Sequence, residues 1–456
     1  MAGSQWGGSR PDATAAVRGP AMLLAGLRAR AAAHLWWAGP AAVLLLVAAA
    51  HLPTLNDYFF GDDFPELAPV ASTGSLDYLR DVLTFQGESR FWRLLTRVVF
   101  LAEYRAFGLD PAPYHAVNLA IHLGNVLLVY ALARGLTGRT GVALVAALAF
   151  GVTPAHAVSV AWITTLNRLL HTFFFLLTLL LLRRALMGPT VRRGWLAAAA
   201  GACLLALLTD EVVVAFLPVV PAYAWLVRFG RGRDVRGLLA VTAPFAVLGA
   251  AAAAAAVLPQ LGEEALAEEA YGPGPHVLRN LALYLARLAV PAVPVRPDAL
   301  GPFPAAVALG VAGLGAYVLV RGPAAARFLA AWCLLALLPF TLWEDLPAPR
   351  YLYLASVPFL TGLAWLGGEA VRRAERALGP PALPAAAGVL AALFLILAWR
   401  TAVENGGQAF AAERYRVLVT GLRQALPAPE PGSTIYITNG VWTDRWDNSE
   451  WLPDVA

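Results

Sequence analysis

Residues Ala41–Leu67 read AAVLLLVAAAHLPTLNDYFFGDDFPEL. An apolar run opens the stretch, and two adjacent carboxylates, Asp62 and Asp63, follow shortly after it. Taken from about residue 34, the run has the ~20 residues that a helix needs to cross a bilayer. If it crosses, the acidic pair stands at headgroup depth just beyond its end. The rest of the chain bears on whether it does. Of 456 residues, 59% are hydrophobic and 14% charged, where a soluble domain carries about a quarter charged residues. The mean hydropathy is +0.63. Apolar runs of near-spanning length recur from end to end, which predicts a polytopic membrane protein. Backbone groups in lipid must be satisfied within their own segment, and runs this long mean helices rather than barrel strands, so the expected class is all-α.

The formal charge is +5 and the pI about 9.4. Every basic residue is arginine, which excludes lysine Schiff-base chemistry and leaves arginine, histidine or backbone to hold an anion. The arginines cluster in short loops between apolar runs, as the positive-inside rule requires, so no nucleic-acid partner is expected. Cys203 and Cys333 fall inside apolar runs and form no disulfide framework.

Spans are expected at roughly 34–53, 114–133, 141–157, 168–183, 194–209, 211–228, 238–258, 303–320, 326–343, 350–367 and 384–400. The segment HVLRNLALYLARLAVPAVP, from His276, is apolar but interrupted by Arg279 and Arg287. If it does not cross, Arg321, Arg327, Arg372, Arg373 and Arg376 share a side with the earlier arginine clusters, while Glu344 and Asp345 face Asp210 and Glu211. If it crosses, every later loop breaks the rule. It therefore reads as an interfacial or re-entrant helix, and the count is about eleven spans, N-terminus in and C-terminus out.

This gives a cytoplasmic leader (1–33), a transmembrane domain (34–400) with outer loops at 54–113 and 259–302, and an outer segment (401–456). A cleaved signal peptide is the alternative for the first run. In the last segment a helical stretch precedes GSTIYITNG, which reads as turn and strand.

The chemistry-bearing residues gather on the outer side. A carboxylate pair at the membrane boundary has two uses. One member can act as general base while its neighbour raises its pKa. Alternatively, both Asp62 and Asp63 can hold a divalent metal that neutralises a phosphate leaving group. A solvated loop start would look the same. RFWRLLTRVVFLAEYRAFG (Arg90–Gly108) is too charged to span and reads as an amphipathic surface helix. Its arginines serve as headgroup anchors, or one of them holds a lipid-linked phosphate. In PYHAVNLAIHLGNVLL, His115, Asn118, His122 and Asn125 share one helix face. Interhelical hydrogen bonding accounts for the last three, and His115 lies nearest the outer end. His156, Trp162, Asn167, Arg168, Asp210, Glu211, Arg350, Tyr351 and Tyr353 complete the set. Its tryptophans and tyrosines are equally an aromatic belt.

In order along roughly residues 34–370, GDDF, FWRLLTR, YHAVNLAIH, TPAHAVSVAWI, TDEVVVAFLP and RYLYLAS resemble the motif series of the GT-C-type glycosyltransferases. The resemblance is to the protein O-mannosyltransferase-like and tetratricopeptide-associated O-mannosyltransferase-like groups. It implies a GT-C-like helical bundle and an enzyme that transfers a sugar from a polyprenyl-phosphate donor to a hydroxyl of a glycan, lipid or protein acceptor. By this resemblance Asp62, ahead of Asp63, is the catalytic carboxylate. Arg93, Arg350 and Arg168 hold the donor phosphate, and His115, His156, Glu211 and Tyr351 line the pocket. Four positions depart from the pattern: Thr153 for histidine, Val158 for glutamate, Leu94 for proline and Asp210 for lysine. These departures bear on donor contacts and on whether a divalent metal is used. The all-arginine, Ala- and Gly-rich composition fits a GC-rich bacterial genome, hence an inner-membrane protein and an undecaprenyl carrier. A lipid-linked glycan polymerase or ligase, a transporter or flippase, and a non-catalytic scaffold are the competing classes. No internal repeat favours the transporter.

Overall fold

The structure, a computed structural model, describes residues 37–84, 93–232, 234–257, 272–291, 302–344, 348–379 and 381–426. It is all-helical among the described residues. Eight helices are long and apolar enough to cross a membrane. These are α1 (Trp37–Asn56), α5 (Pro111–Thr137), α8 (Ile163–Leu186), α11 (Val235–Val257), α13 (Pro302–Arg321), α14 (Ala324–Thr341), α15 (Leu352–Leu378) and α16 (Ala382–Ala425). A ninth is broken. Its halves, α6 (Thr140–Gly151) and α7 (Ala157–Ala161, extended by a tight turn from Pro154), meet at 50°. Pro154 lacks the N–H that would continue the helix, so the bend falls there. The two other expected spans correspond to the shorter apolar helices α9 (Arg193–Thr209) and α10 (Val213–Phe229). The segment from His276 forms α12 (His276–Ala289), 14 residues long and below spanning length.

Local signals set the ends of the helices. Asp110 caps α5 by accepting from the Ala112 N–H at 3.2 Å, Pro111 occupies its first turn, and Gly138, in the left-handed region, ends it. In the core, α8 packs on α9, α5 on α6 and α8, and α14 and α6 on α15. At Gly151 α1 and α6 approach closely, because a Cβ there would lie 2.2 Å from the Val47 side chain. The Gly151 carbonyl also accepts from His51 and His122 at 3.0 and 3.1 Å. The polar stripe of α5 is satisfied between helices. His122 meets the Tyr353 hydroxyl at 2.6 Å, and Asn125 donates to that hydroxyl and to the Leu169 carbonyl.

Three helices follow α1 at one end of the bundle: α2 (Asp63–Ser72), α3 (Ser75–Thr84) and α4 (Leu94–Phe107). The part of the expected amphipathic helix before Arg93 lies outside the described residues, as do most of the second loop and the GSTIYITNG run. α16 departs from expectation. It does not stop near residue 400 but runs unbroken for 44 residues, about 66 Å at 1.5 Å per residue. Hydropathy falls at Arg400, yet ion pairs Arg400–Glu404 (2.8 Å) and Arg416–Glu413, together with burial of Ala412, sustain the helix.

Candidate active site

The acidic pair sits where α1 turns into α2. Gly61 precedes it at φ +57°, a left-handed conformation that costs glycine little. A Cβ on Gly61 would also lie 3.2 Å from the Trp162 ring. Trp162 stacks on Phe60 at 5.6 Å and donates its indole N–H to the Phe60 carbonyl at 3.1 Å.

The two aspartates have different surroundings. Asp63 is 1% exposed. Its Oδ2 accepts from the Phe60 N–H at 3.0 Å, and its Oδ1 from the Thr164 N–H at 2.9 Å and the Thr164 hydroxyl. Burial pushes this carboxyl up to about 7, against those hydrogen bonds. Asp62 is half-buried and its carboxylate has no hydrogen-bond partner among the described residues. Arg350, Glu66 and Arg93 are the charges in its surroundings. Burial first, and Glu66 second, push its pKa above the carboxylate range, while Arg350 and Arg93 pull against them.

The two arginines arrive from opposite ends of the sequence. Arg350 lies over the rings of Trp162 and Tyr351, at 5.4 and 5.0 Å from their centroids. Among the described residues no carboxylate comes within ion-pair distance of it. Arg93, preceding α4, pairs with Glu211 at 3.3 Å, and Thr96 donates to the Thr209 carbonyl one turn further on. Burial and the neighbouring Asp210 raise the Glu211 pKa, opposed by Arg93.

Arg168 is placed otherwise. Its guanidinium donates to Asp210 Oδ2 at 2.7 Å and lies over the stacked rings of Phe340 and Tyr351. The same Asp210 oxygen accepts from Asn167 at 3.0 Å and lies 3.1 Å from His171 Nδ1. Burial opposes ionisation of Asp210, but Arg168, the His171 hydrogen bond and Arg93 outweigh it and hold the carboxyl well below its ordinary range. Asp210, where the resembled pattern has lysine, is thus a hub that fixes the start of α8 against the α9–α10 turn.

His115 and His156 are fully buried. His115 Nε2 meets the Asp57 carbonyl at 3.1 Å, tying α5 to the loop after α1. His156 meets the Phe150 carbonyl and the Ser356 hydroxyl at 2.8 and 2.9 Å, inside the bundle. The geometry therefore brings Asp62, Arg93, Glu211, Arg350 and Tyr351 together. It places Asp63 and Arg168 just behind them, and both histidines in the scaffold. Two further residues act here, Thr164 and Tyr415. Thr164 carried only the weak signal of a hydroxyl pair next to Trp162 and Ile163. Tyr415 carried none, since it stands more than 350 residues from the loop it touches.

The residues do not fit a metal held jointly by the acidic pair. Both Asp63 oxygens are taken by N–H and O–H donors. Among the described residues no three histidine, cysteine, aspartate or glutamate side chains gather at metal-binding geometry. What the arrangement offers, among the described residues, is a carboxylate without a hydrogen-bond donor near an arginine without an acidic partner.

No protein-family model matches the sequence. A stretch of 134 residues is 34% identical to the protein O-mannosyl-transferase Tmtc1 of Drosophila melanogaster. It covers 27% of this chain and 16% of that protein, so the chain matches only a small part of that curated relative. The structure superposes on ArnT from Cupriavidus metallidurans bound to undecaprenyl phosphate with a TM-score of 0.52 and 14% identity, covering 92% of this chain and 85% of that one. It also superposes on the Archaeoglobus fulgidus oligosaccharyltransferase tethered to an acceptor peptide. That TM-score is 0.52 at 14% identity, covering 86% of this chain and 58% of the other.

Proposed function

The chain has the GT-C fold, and on that premise we propose that it is a membrane glycosyltransferase that moves a sugar from a polyprenyl-phosphate donor to an acceptor hydroxyl, with Asp62 as general base. One observation carries the reading: the half-buried Asp62 carboxylate has no partner of its own among the described residues, and two guanidinium groups neighbour it. A half-buried carboxylate that stays open on one side and takes no protein donor among the described residues is placed to accept a substrate proton.

The step follows from the residues. The acceptor O–H gives its proton to an Asp62 oxygen as the hydroxyl oxygen attacks the sugar C1. The bond from C1 to the phosphate oxygen breaks, and its electron pair leaves with the phosphate. Arg350 stabilises the charge that grows there. Among the described residues it has no acidic partner to exchange for the phosphate, whereas Arg93 has to share itself with Glu211. Thr164 and the Phe60 N–H lock Asp63, which fixes one flank of Asp62. Arg168, bound to Asp210, holds the Tyr351 ring under Arg350. Direct displacement inverts C1. Two further parts of the reading, a bacterial inner membrane and an outward-facing site, rest on charge parity and on the arginine usage.

The Tmtc1 match and the structural likeness to ArnT and the oligosaccharyltransferase support the reaction class over a transporter. The test is incubation of purified protein with a panel of polyprenyl-phosphate sugars and, separately, nucleotide sugars. Transfer from a lipid-linked sugar with inversion by NMR is expected. Retention, or use of nucleotide sugars alone, contradicts the reading.

A further inference from the structure

The part of α16 beyond its apolar half packs along the catalytic loop. Thr401 donates to the Val152 carbonyl at 2.7 Å, and Asn405 to the Ala50 carbonyl at 3.2 Å. About two to three turns later the helix reaches the loop that carries the acidic pair. Ala412 is fully buried and packs with Phe60. Tyr415, 9% exposed, stacks its ring on Phe64 at 5.6 Å and 26°. Its hydroxyl lies beside the Gly61 backbone.

We propose that Tyr415 is a positioning residue for Asp62. This rests on the glycosyltransferase reading. The argument is geometric. Asp62 lies between Gly61, which the Tyr415 hydroxyl engages, and Phe64, which the Tyr415 ring engages. One side chain therefore spans the residue that carries the base. Gly61 is also the position most free to change conformation, because its φ of +57° is one of many that glycine adopts. Trp162 and Thr164 hold Phe60 and Asp63 from the α8 side. The Trp162 ring also lies against Gly61 from that side, and Tyr415 closes it from the α16 side. Without that contact the Asp62 carboxylate samples positions away from Arg350, and the fraction of enzyme with a correctly placed base falls. Catalytic groups tolerate little such freedom, since small misplacements cost large factors in rate. The role gives a physical purpose to a helix that continues more than 20 residues past its apolar half.

Two measurements test this on full-length protein in detergent or nanodiscs. The first is hydrogen–deuterium exchange of peptides covering residues 58–66 in wild type, Tyr415→Phe and Tyr415→Ala. The second is transfer kinetics of the same three proteins. Removal of the hydroxyl beside Gly61 predicts about fivefold faster exchange at Gly61 in Tyr415→Phe and a matching drop in kcat, with donor KM and melting temperature unchanged. Tyr415→Ala, which also loses the ring contact, is expected to fall further, about thirtyfold. Wild-type exchange together with wild-type kcat in Tyr415→Phe overturns the proposal. So does a Tyr415→Ala defect that scales only with the loss of folded protein. If wild type itself transfers no sugar, the reaction reading fails, and the exchange data alone decide whether Tyr415 holds the loop.

Discussion

Asp62 and Asp63 are neighbours of the same type, yet burial and hydrogen bonding set them apart. Asp63 is saturated by three donors; Asp62 is not. The pH dependence follows from the direction of the Asp62 shift. The base works ionised and its pKa is raised by burial, so kcat/KM should be lost as pH falls through that raised value. A profile flat across the acid side would count against Asp62. Arg168 and Asp210 make a separate prediction. Asp210 is fully buried and compensates a nearly buried guanidinium. Asp210→Asn should lower stability by about 3 kcal/mol, read as a lower melting temperature. Unchanged melting would mean that the hub is not structural. The sequence made Asp62 and Arg350 legible because acidic and basic groups at span ends are rare and conspicuous. It left the commitment of Arg168 hidden, because the partner lies 42 residues away at a position where the resembled pattern carries the opposite charge.

At the scale of elements, the hydropathy pattern located each long helix, since lipid leaves a backbone no other choice. At α16 it separates a span from a following helical stretch that the structure joins in one helix. Hydropathy marks where lipid ends, whereas a helix persists as long as ion pairs and packing support it. Amphipathic α4 offers its own test. Glu103 is buried among apolar neighbours, and burial pushes its carboxyl up to about 8 from 4.5. The folded state therefore holds a proton that the unfolded chain has already released above about 4.5. Stability is fully present below that value and is lost as pH rises through about 8. Glu103→Gln removes this loss, so its melting temperature should exceed that of wild type increasingly toward pH 9. Parallel pH curves for the two proteins would contradict it.

The whole molecule joins a lipid-embedded bundle to a polar site at one end, and the two ends of the chain's helical order, α1 and α16, both wall that site. From the parity of arginine clusters we propose that it lies on the non-cytoplasmic face. Exposed positions on either side test this: an impermeant maleimide should label Ser72→Cys but not Glu375→Cys in intact cells, and the reverse would invert the topology. The central claim concerns one carboxylate, and the most direct measurement compares sugar-transfer rates of wild type, Asp62→Asn and Asp63→Asn, reconstituted with a lipid-linked donor. Loss of a general base predicts that Asp62→Asn falls by roughly a hundredfold to ten-thousandfold with donor binding intact. Asp63→Asn should lose less, in step with its loss of folded protein. Near-wild-type transfer by Asp62→Asn would contradict the account.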